Sequence, residues 1–281
     1  MIDGSDAGPL DFFYLKQAAE ERGYNVEVVD VSEEYTTIGL WGPNARENLQ
    51  KVVDDPESLS HENFPFAALR DITIAGKTVT AFRLSYVGEQ GWELHMKYED
   101  GLAVWDALRD QDIMAFGVET YANSRRMEKS LRLQNADLLT EYNLIESDLQ
   151  RPKVKQADFR GKEANIRHRE MERQHAYLCT LVMTDNVDED GVARYPVGTC
   201  PILDPATGKT LVDALGRRSF TTSMAYGPTI GKNIMLAYIP SELAQEGREF
   251  EVDYMGRNYP VRLEGVGYKP LYDPENLKPR S

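Results

Sequence analysis

A chain of 281 residues is long enough to bury one large or two smaller cores, and its 41% hydrophobic and 28% charged content is that of a soluble globular protein. No apolar run approaches the ~20 residues that cross a bilayer. The net charge of −14 opposes nucleic acid and anionic membrane surfaces, so neither is expected as a partner, and an anionic ligand needs a local basic pocket.

The first eight residues carry no basic or apolar signal region, which points to the cytoplasm. Residues 11–23 read as a helix with Phe12, Phe13, Leu15 and Ala19 near one face and Gly23 as its stop. Residues 25–31 alternate as a strand, and 36–41 form a second strand that ends at Gly42-Pro43. Pro43 then suits the first turn of a helix running to Val53. Residues 72–74 and 78–84 read as a hairpin about Ala75-Gly76-Lys77, with the second strand continuing to Val87. Residues 92–96 return as a strand after Gly88-Glu89-Gln90-Gly91. Residues 100–109 form an amphipathic helix anchored by Leu102, Val104, Trp105 and Leu108, and 119–133 a further helix.

Residues 150–161 are polar and read as a linker, followed by a charged, solvated helix over 161–174. Strand character then recurs at 177–183, 209–215, 234–239, 250–254 and 259–263, with glycine turns between, the spacing of a small barrel or sandwich. The expected organisation is α+β: a first region over 1–150, a linker and helix over 151–174, and a C-terminal β-barrel over 175–281.

Few residues offer chemistry. There is no phosphate-binding glycine loop and no nucleophile elbow. Cys179, Cys200 and four histidines show no metal-ligand spacing, so no metal is expected, and the cysteines read as ordinary thiols of a reducing compartment. Three segments stand out. In Ser85-Tyr86-Val87-Gly88-Glu89-Gln90-Gly91-Trp92-Glu93-Leu94, Trp92 and Glu93 point to opposite faces of a strand. Glu93 is then either a solvated acid or a carboxylate that accepts two parallel hydrogen bonds from an amidine-like edge, such as a pterin or guanine ring. Trp92 and Tyr86 fit a core better than a stacking platform. In the helix that carries Tyr121-Ala122-Asn123-Ser124-Arg125-Arg126-Met127-Glu128-Lys129, the plain reading is a surface helix laced with salt bridges, the alternative an arginine face that receives a carboxylate. Residues 220–233 read as loop chemistry before Gly227-Pro228.

These segments, in this order, resemble the glycine-cleavage T-protein (aminomethyltransferase) family and the C-terminal parts of dimethylglycine and sarcosine dehydrogenases, the dimethylglycine branch most of all. Gly42-Pro43-Asn44-Ala45-Arg46 resembles the family's strand-to-helix turn. Arg83-Leu84-Ser85-Tyr86-Val87-Gly88-Glu89-Gln90-Gly91-Trp92-Glu93-Leu94 resembles its glycine hairpin. Asn123 to Lys129, Asp158-Phe159-Arg160-Gly161-Lys162, the stretch from Thr221 to Pro240, and Leu271-Tyr272-Asp273-Pro274 complete the match over nearly the whole chain.

The resemblance implies tetrahydrofolate as cofactor, with Glu93 on the pterin ring and Tyr272 lining the site. It implies that Tyr121 lies near the folate pocket, Tyr86 belongs to the same binding set, and Arg126, with Glu128 as its acid, holds the helix beside the pocket. It implies transfer of a methyl, methylene or formaldehyde-level carbon from a methylated amine. Departures are Ala122 where T-proteins carry an arginine, Arg125 in place of leucine, and one residue inserted around Glu119. The family segment with the acid that positions the folate nitrogen finds no counterpart, so no catalytic residue is assigned. A partner subunit supplying that N-terminal half or a flavin domain is expected, or else a fragment. The rival functions are a folate-dependent O- or S-demethylase and a non-catalytic folate-binding subunit.

Overall fold

The computed structural model describes residues 8–111 and 113–281; the stretch expected to lack a signal lies almost wholly outside them. The chain divides into two compact units, one of residues 1–85 and 90–114, the other of residues 86–89 and 115–281.

In the first unit, helix α1 (Gly8–Glu21) ends two residues short of Gly23 and buries none of its side chains. Strands β1 (Tyr35–Trp41), β2 (Leu69–Ile74), β3 (Lys77–Phe82) and β4 (Gly91–Lys97) form an antiparallel sheet in the order β1-β4-β3-β2. One face is apolar. Leu40, Ile72, Ile74, Val79, Ala81, Trp92, Leu94 and Met96 pack there against Ala45 and Leu49 of α2 (Ala45–Gln50) and against Val104 and Leu108 of α3 (Gly101–Arg109). Strand alternation sends the neighbouring residues to the opposite face.

Four expectations change in this unit. Residues 25–31 form no strand: alternation marks an apolar face, but a ladder needs a neighbouring strand to satisfy its backbone groups, and no described strand pairs with them. Strand β3 stops at Phe82, and residues 83–90 turn irregularly, instead of continuing to Val87. Helix α2 begins at Ala45, after Pro43, and ends at Gln50. In α3, Leu102 and Trp105 are exposed, at 70% and 41%, because the helix buries only a narrow stripe at 101, 104 and 108.

The second unit is a seven-stranded antiparallel sheet. Its strands are β5 (Ala176–Met183), β6 (Ile202–Asp204), β7 (Lys209–Thr210), β8 (Thr221–Gly227), β9 (Lys232–Pro240), β10 (Glu249–Tyr254) and β11 (Arg257–Val266), in the order β7-β6-β10-β11-β5-β9-β8. The sheet curls into a half-closed barrel: the Ile202 N–H donates to the Ser219 carbonyl at 3.1 Å and the Thr221 N–H to Cys200 at 2.8 Å, joining the segments that enter β6 and β8. Strands β5 and β9 are buried on both faces, hence their near-continuous apolar runs. One face fills the barrel with Leu181, Met235, Ile239, Phe250, Val252 and Leu263. The other packs Leu178, Val182, Leu236 and Tyr238 with Met127.

Here too the sequence misleads in places. Residues 221–227, expected as loop, form β8, whose inward positions Thr221, Ser223 and Ala225 are small or polar and so show no apolar alternation. Of 209–215 only Lys209–Thr210 is strand, and β6 was not expected. The helix expected over 119–133 is a π-helical segment, Glu119–Arg125, followed by one α-turn, α4 (Arg126–Glu128), and it ends at Ser130 with φ +54°. The charged helix α5 (Lys162–Glu170) buries no side chain. No described helix is long and apolar enough to cross a membrane.

Candidate functional site

In the first unit, the sheet face turned away from the core gathers polar and aromatic side chains. Glu93 sits on β4 across from Gly39 of β1 and Phe82 of β3, and His95 sits across from Thr37 and Thr80. Paired residues share a face, so these form two adjacent rows. Thr80 donates its hydroxyl to Asp71 at 2.6 Å. The His95 imidazole lies 2.8 Å from the Thr37 hydroxyl through Nδ1 and 3.5 Å from Glu93 Oε2 through Nε2. The Glu93 side chain keeps 17% exposure.

Trp41 completes this face. Its indole lies over Gly39: a Cβ added at position 39 would come within 2.0 Å of the ring. The indole N–H donates to the Leu84 carbonyl at 2.9 Å, which fixes the ring's tilt. On the neighbouring strands, Glu93 thus has Gly39, covered by the half-buried indole, on one side and half-buried Phe82 on the other. Trp92, its neighbour in sequence, is fully buried in the core.

In the second unit, Tyr86, Tyr121, Arg126 and Tyr272 come together around residues 121–129. The Tyr86 and Tyr121 rings meet at 5.3 Å. The Tyr86 hydroxyl donates to the Arg132 carbonyl at 2.7 Å, and burial, partly offset by the Arg126 cation, pushes its pKa up to about 12. Arg126 is fully buried. It donates to Asp137 at 2.7 Å, to the Leu131 carbonyl at 2.8 Å and to Ser223 at 2.6 Å. Its acid is Asp137, not Glu128, because residues two apart on a helix do not face one another. The surface-helix reading is also overturned, since residues 126–130 are buried.

Glu128 has other partners. Oε2 accepts from Arg125 at 2.8 Å, and Oε1 accepts the backbone N–H groups of Thr229 and Ile230 at 2.6 and 3.2 Å. Tyr272 donates its hydroxyl to Glu89 Oε1 at 2.8 Å, and Arg125 donates to the same oxygen at 3.0 Å. Lys129 packs over Gly88, where a Cβ would come within 2.5 Å of its chain and φ is +80°. Its ammonium donates to the Tyr272 and Asp273 carbonyls at 3.0 and 2.6 Å.

The GCVT N-terminal domain family matches residues 4–155, and the glycine cleavage T-protein C-terminal barrel domain matches residues 197–273. The chain belongs to the glycine-cleavage T-protein family. It is 32% identical over 268 residues to the mitochondrial dimethylglycine dehydrogenase of Homo sapiens, an alignment covering 93% of this chain and 29% of that one. It is 31% identical over 263 residues to the aminomethyltransferase of Thermus thermophilus, covering 93% and 66%. The crystal structure of the glycine cleavage system aminomethyltransferase T from Bartonella henselae superposes with a TM-score of 0.73 at 18% identity, over 94% of this chain and 67% of that one. The chain therefore spans under a third of the dehydrogenase and about two thirds of the aminomethyltransferases.

Within this family member, the five residues singled out from sequence divide between the units: Glu93 in the first, Tyr86, Tyr121, Arg126 and Tyr272 in the second. Sequence reasoning missed Trp41, His95 and Glu89. The one available signal for Trp41 was its place two residues after Gly39, and for His95 its place two after Glu93, each the period of one strand face.

Proposed function

We propose that this member of the T-protein family binds tetrahydrofolate, with Glu93 recognising the pterin ring, and serves one-carbon transfer from a methylated amine. The observation that carries the proposal is the Glu93 carboxylate, partly exposed on the sheet face beside the half-buried indole of Trp41. A carboxylate accepts two parallel N–H bonds from a 2-amino-pyrimidinone edge. An indole gives such a flat ring an apolar surface to lie on. The carboxylate, an acceptor, suits a neutral, planar, hydrogen-bond-donating ring and repels anions in its place.

Bound tetrahydrofolate supplies the nitrogen that accepts the one-carbon unit. The chain's own contribution is to hold the ring in one orientation, the part of such a transfer that lowers the entropic barrier. The methylated-amine donor is proposed from the similarity to dimethylglycine dehydrogenase, and a chain bearing further segments of those relatives is proposed as partner. Tyr86 and Arg126 act on this reading as supports, because their polar groups are taken up by Arg132 and Asp137.

Calorimetric titration of tetrahydrofolate into the wild-type protein and Glu93→Gln tests the proposal. The expected result is saturable binding that the substitution weakens by about tenfold or more, the scale of a hydrogen bond to a charged group. Equal affinity in both proteins, or no binding by the folded wild type, would overturn it.

A further inference from the structure

His95 lies beside Glu93 on the same sheet face, in a position that decides where its protons sit. Nε2 is 3.5 Å from Glu93 Oε2, and the imidazole side chain is nine-tenths buried. No hydrogen-bond partner for Nε2 stands among the described residues. A bare Nε2 there would set its lone pair against a carboxylate oxygen, a repulsive arrangement. That repulsion favours the tautomer with its hydrogen on Nε2. In the neutral ring that leaves Nδ1 as the acceptor, and Nδ1 meets the Thr37 hydroxyl at 2.8 Å, a group that can donate.

We infer that His95 is a positioning residue: held by Thr37 through Nδ1, it turns Nε2 toward Glu93 Oε2, 3.5 Å away and short of a formed hydrogen bond, and its N–H dipole orients the carboxylate so that its outward lone pairs meet the ring edge of the ligand. The inference rests on the reading of Glu93 as the ring-recognising acid and adds what aims it. Glutamate has three rotatable side-chain bonds, and a carboxylate left to them would lose rotamer freedom on every binding event. A donor behind it settles that orientation beforehand, as supporting hydrogen bonds do for metal ligands and binding groups in general. The β1–β4 register builds the arrangement, since Thr37 stands opposite His95 and Gly39 opposite Glu93.

Two measurements test this. The first is the long-range ¹H–¹⁵N spectrum of imidazoles in the free protein, with His95 among the four histidines assigned by its loss in His95→Gln. The expected pattern is an Nε2–H ring with Nδ1 accepting, perturbed in Glu93→Gln. An Nδ1–H tautomer, or a pattern indifferent to Glu93→Gln, would overturn the inference whatever the ligand proves to be. The second is a binding cycle with tetrahydrofolate. His95→Leu is expected to weaken binding about two- to tenfold, the scale of a typical net hydrogen bond and no more, because the contact to Glu93 is long. His95→Gln, which keeps an N–H donor, should recover most of the loss. In a Glu93→Gln background His95→Leu should change nothing further. Wild-type affinity in His95→Leu, or an undiminished effect in the Glu93→Gln background, overturns the positioning role while leaving Glu93 in place. Indifference to Glu93→Gln instead overturns the folate reading, and the spectrum then decides the His95–Glu93 pairing by itself.

Discussion

The Tyr272 hydroxyl donates to Glu89 Oε1 at 2.8 Å, joining residues 183 positions apart in the chain. Glu89 shares that oxygen with Arg125 at 3.0 Å, and the Tyr272 ring lies within 6.0 Å of the Arg125, Lys129 and Lys278 cations. The Glu128 carbonyl accepts the N–H groups of Leu271 and Tyr272 at 2.9 and 3.1 Å. One helical turn, 125–129, thus fastens the 86–89 loop, the β8–β9 turn and the C-terminal segment within the second unit.

If that fastening is what orders the segment, Tyr272→Phe should loosen it while the barrel stays intact. The hydroxyl bond is to a charged acceptor but is partly exposed, so the global cost should stay near ~1 kcal/mol. Amide exchange at Leu271 and Tyr272 should quicken several-fold, with the β5 and β9 amides unchanged. Unaltered exchange at both amides would mean that the backbone bonds to Glu128 hold the segment by themselves.

The Arg126–Asp137 pair should be the most costly polar contact to break. Both side chains are fully buried, and Asp137 also accepts the Leu133 N–H at 2.9 Å and the Thr222 hydroxyl. Removing one partner leaves an uncompensated buried charge, a loss of about 3–5 kcal/mol. Arg126→Met should lower the urea midpoint accordingly. The double variant Arg126→Met, Asp137→Leu should recover part of that loss, because it leaves no lone charge. A double variant as unstable as the sum of the singles would assign the cost to packing instead.

Much of this arrangement was legible from residue order, and the parts that were not share a cause. The hairpin Leu69–Phe82, the strand that carries Glu93, and β5, β9, β10 and β11 announce themselves by alternation or continuous apolar runs between glycine turns. Sequence also places Trp92 in the core and Glu93 on the opposite face. What it misassigned was partnership. Residues 25–31 have the period of a strand but no ladder among the described residues, and β8 has a ladder whose inward positions, Thr221, Ser223 and Ala225, show no apolar alternation. Arg126 finds its acid eleven residues on, at Asp137, through tertiary folding that local spacing does not encode. His95 and Trp41 are silent for the same reason, since their meaning comes from the strand alongside.

Alkaline pH should unfold the protein earlier than lysines alone would dictate. Burial raises the Tyr86 and Tyr238 pKa values from 10.0 to about 12, partly offset by Arg126 for the first and by the Ser147 hydrogen bond for the second. The unfolded chain releases these phenol protons near pH 10, the folded chain only near 12. Between those values the unfolded state binds fewer protons, so stability falls as pH rises. The contribution is complete below pH 10 and is lost as pH climbs through 12. Urea midpoints taken from pH 9 to 11 should decline, and Tyr238→Phe should flatten the slope. A midpoint independent of pH over that range would show that both phenols ionise as freely in the fold as in solution.

Gly39 links the backbone of β1 to the indole on the outer sheet face without touching the polar groups there. A methyl group at Gly39 would come within 2.0 Å of Cζ3 and 2.2 Å of Cη2 of Trp41, so Gly39→Ala must push the indole off its seat. The strand itself tolerates alanine, and Leu40 and Leu94 keep their places in the core on the other face. The Trp41 N–H would lose its bond to the Leu84 carbonyl and turn toward water. Tryptophan emission should shift to the red with little change in the unfolding midpoint. If the indole is the surface on which the folate ring lies, tetrahydrofolate affinity should fall about tenfold, the scale of one aromatic stacking contact. Trp41→Leu should match that loss, and combining it with Gly39→Ala should add nothing. Full affinity in Gly39→Ala despite a shifted emission would remove Trp41 from the ligand surface and leave recognition to Glu93 alone.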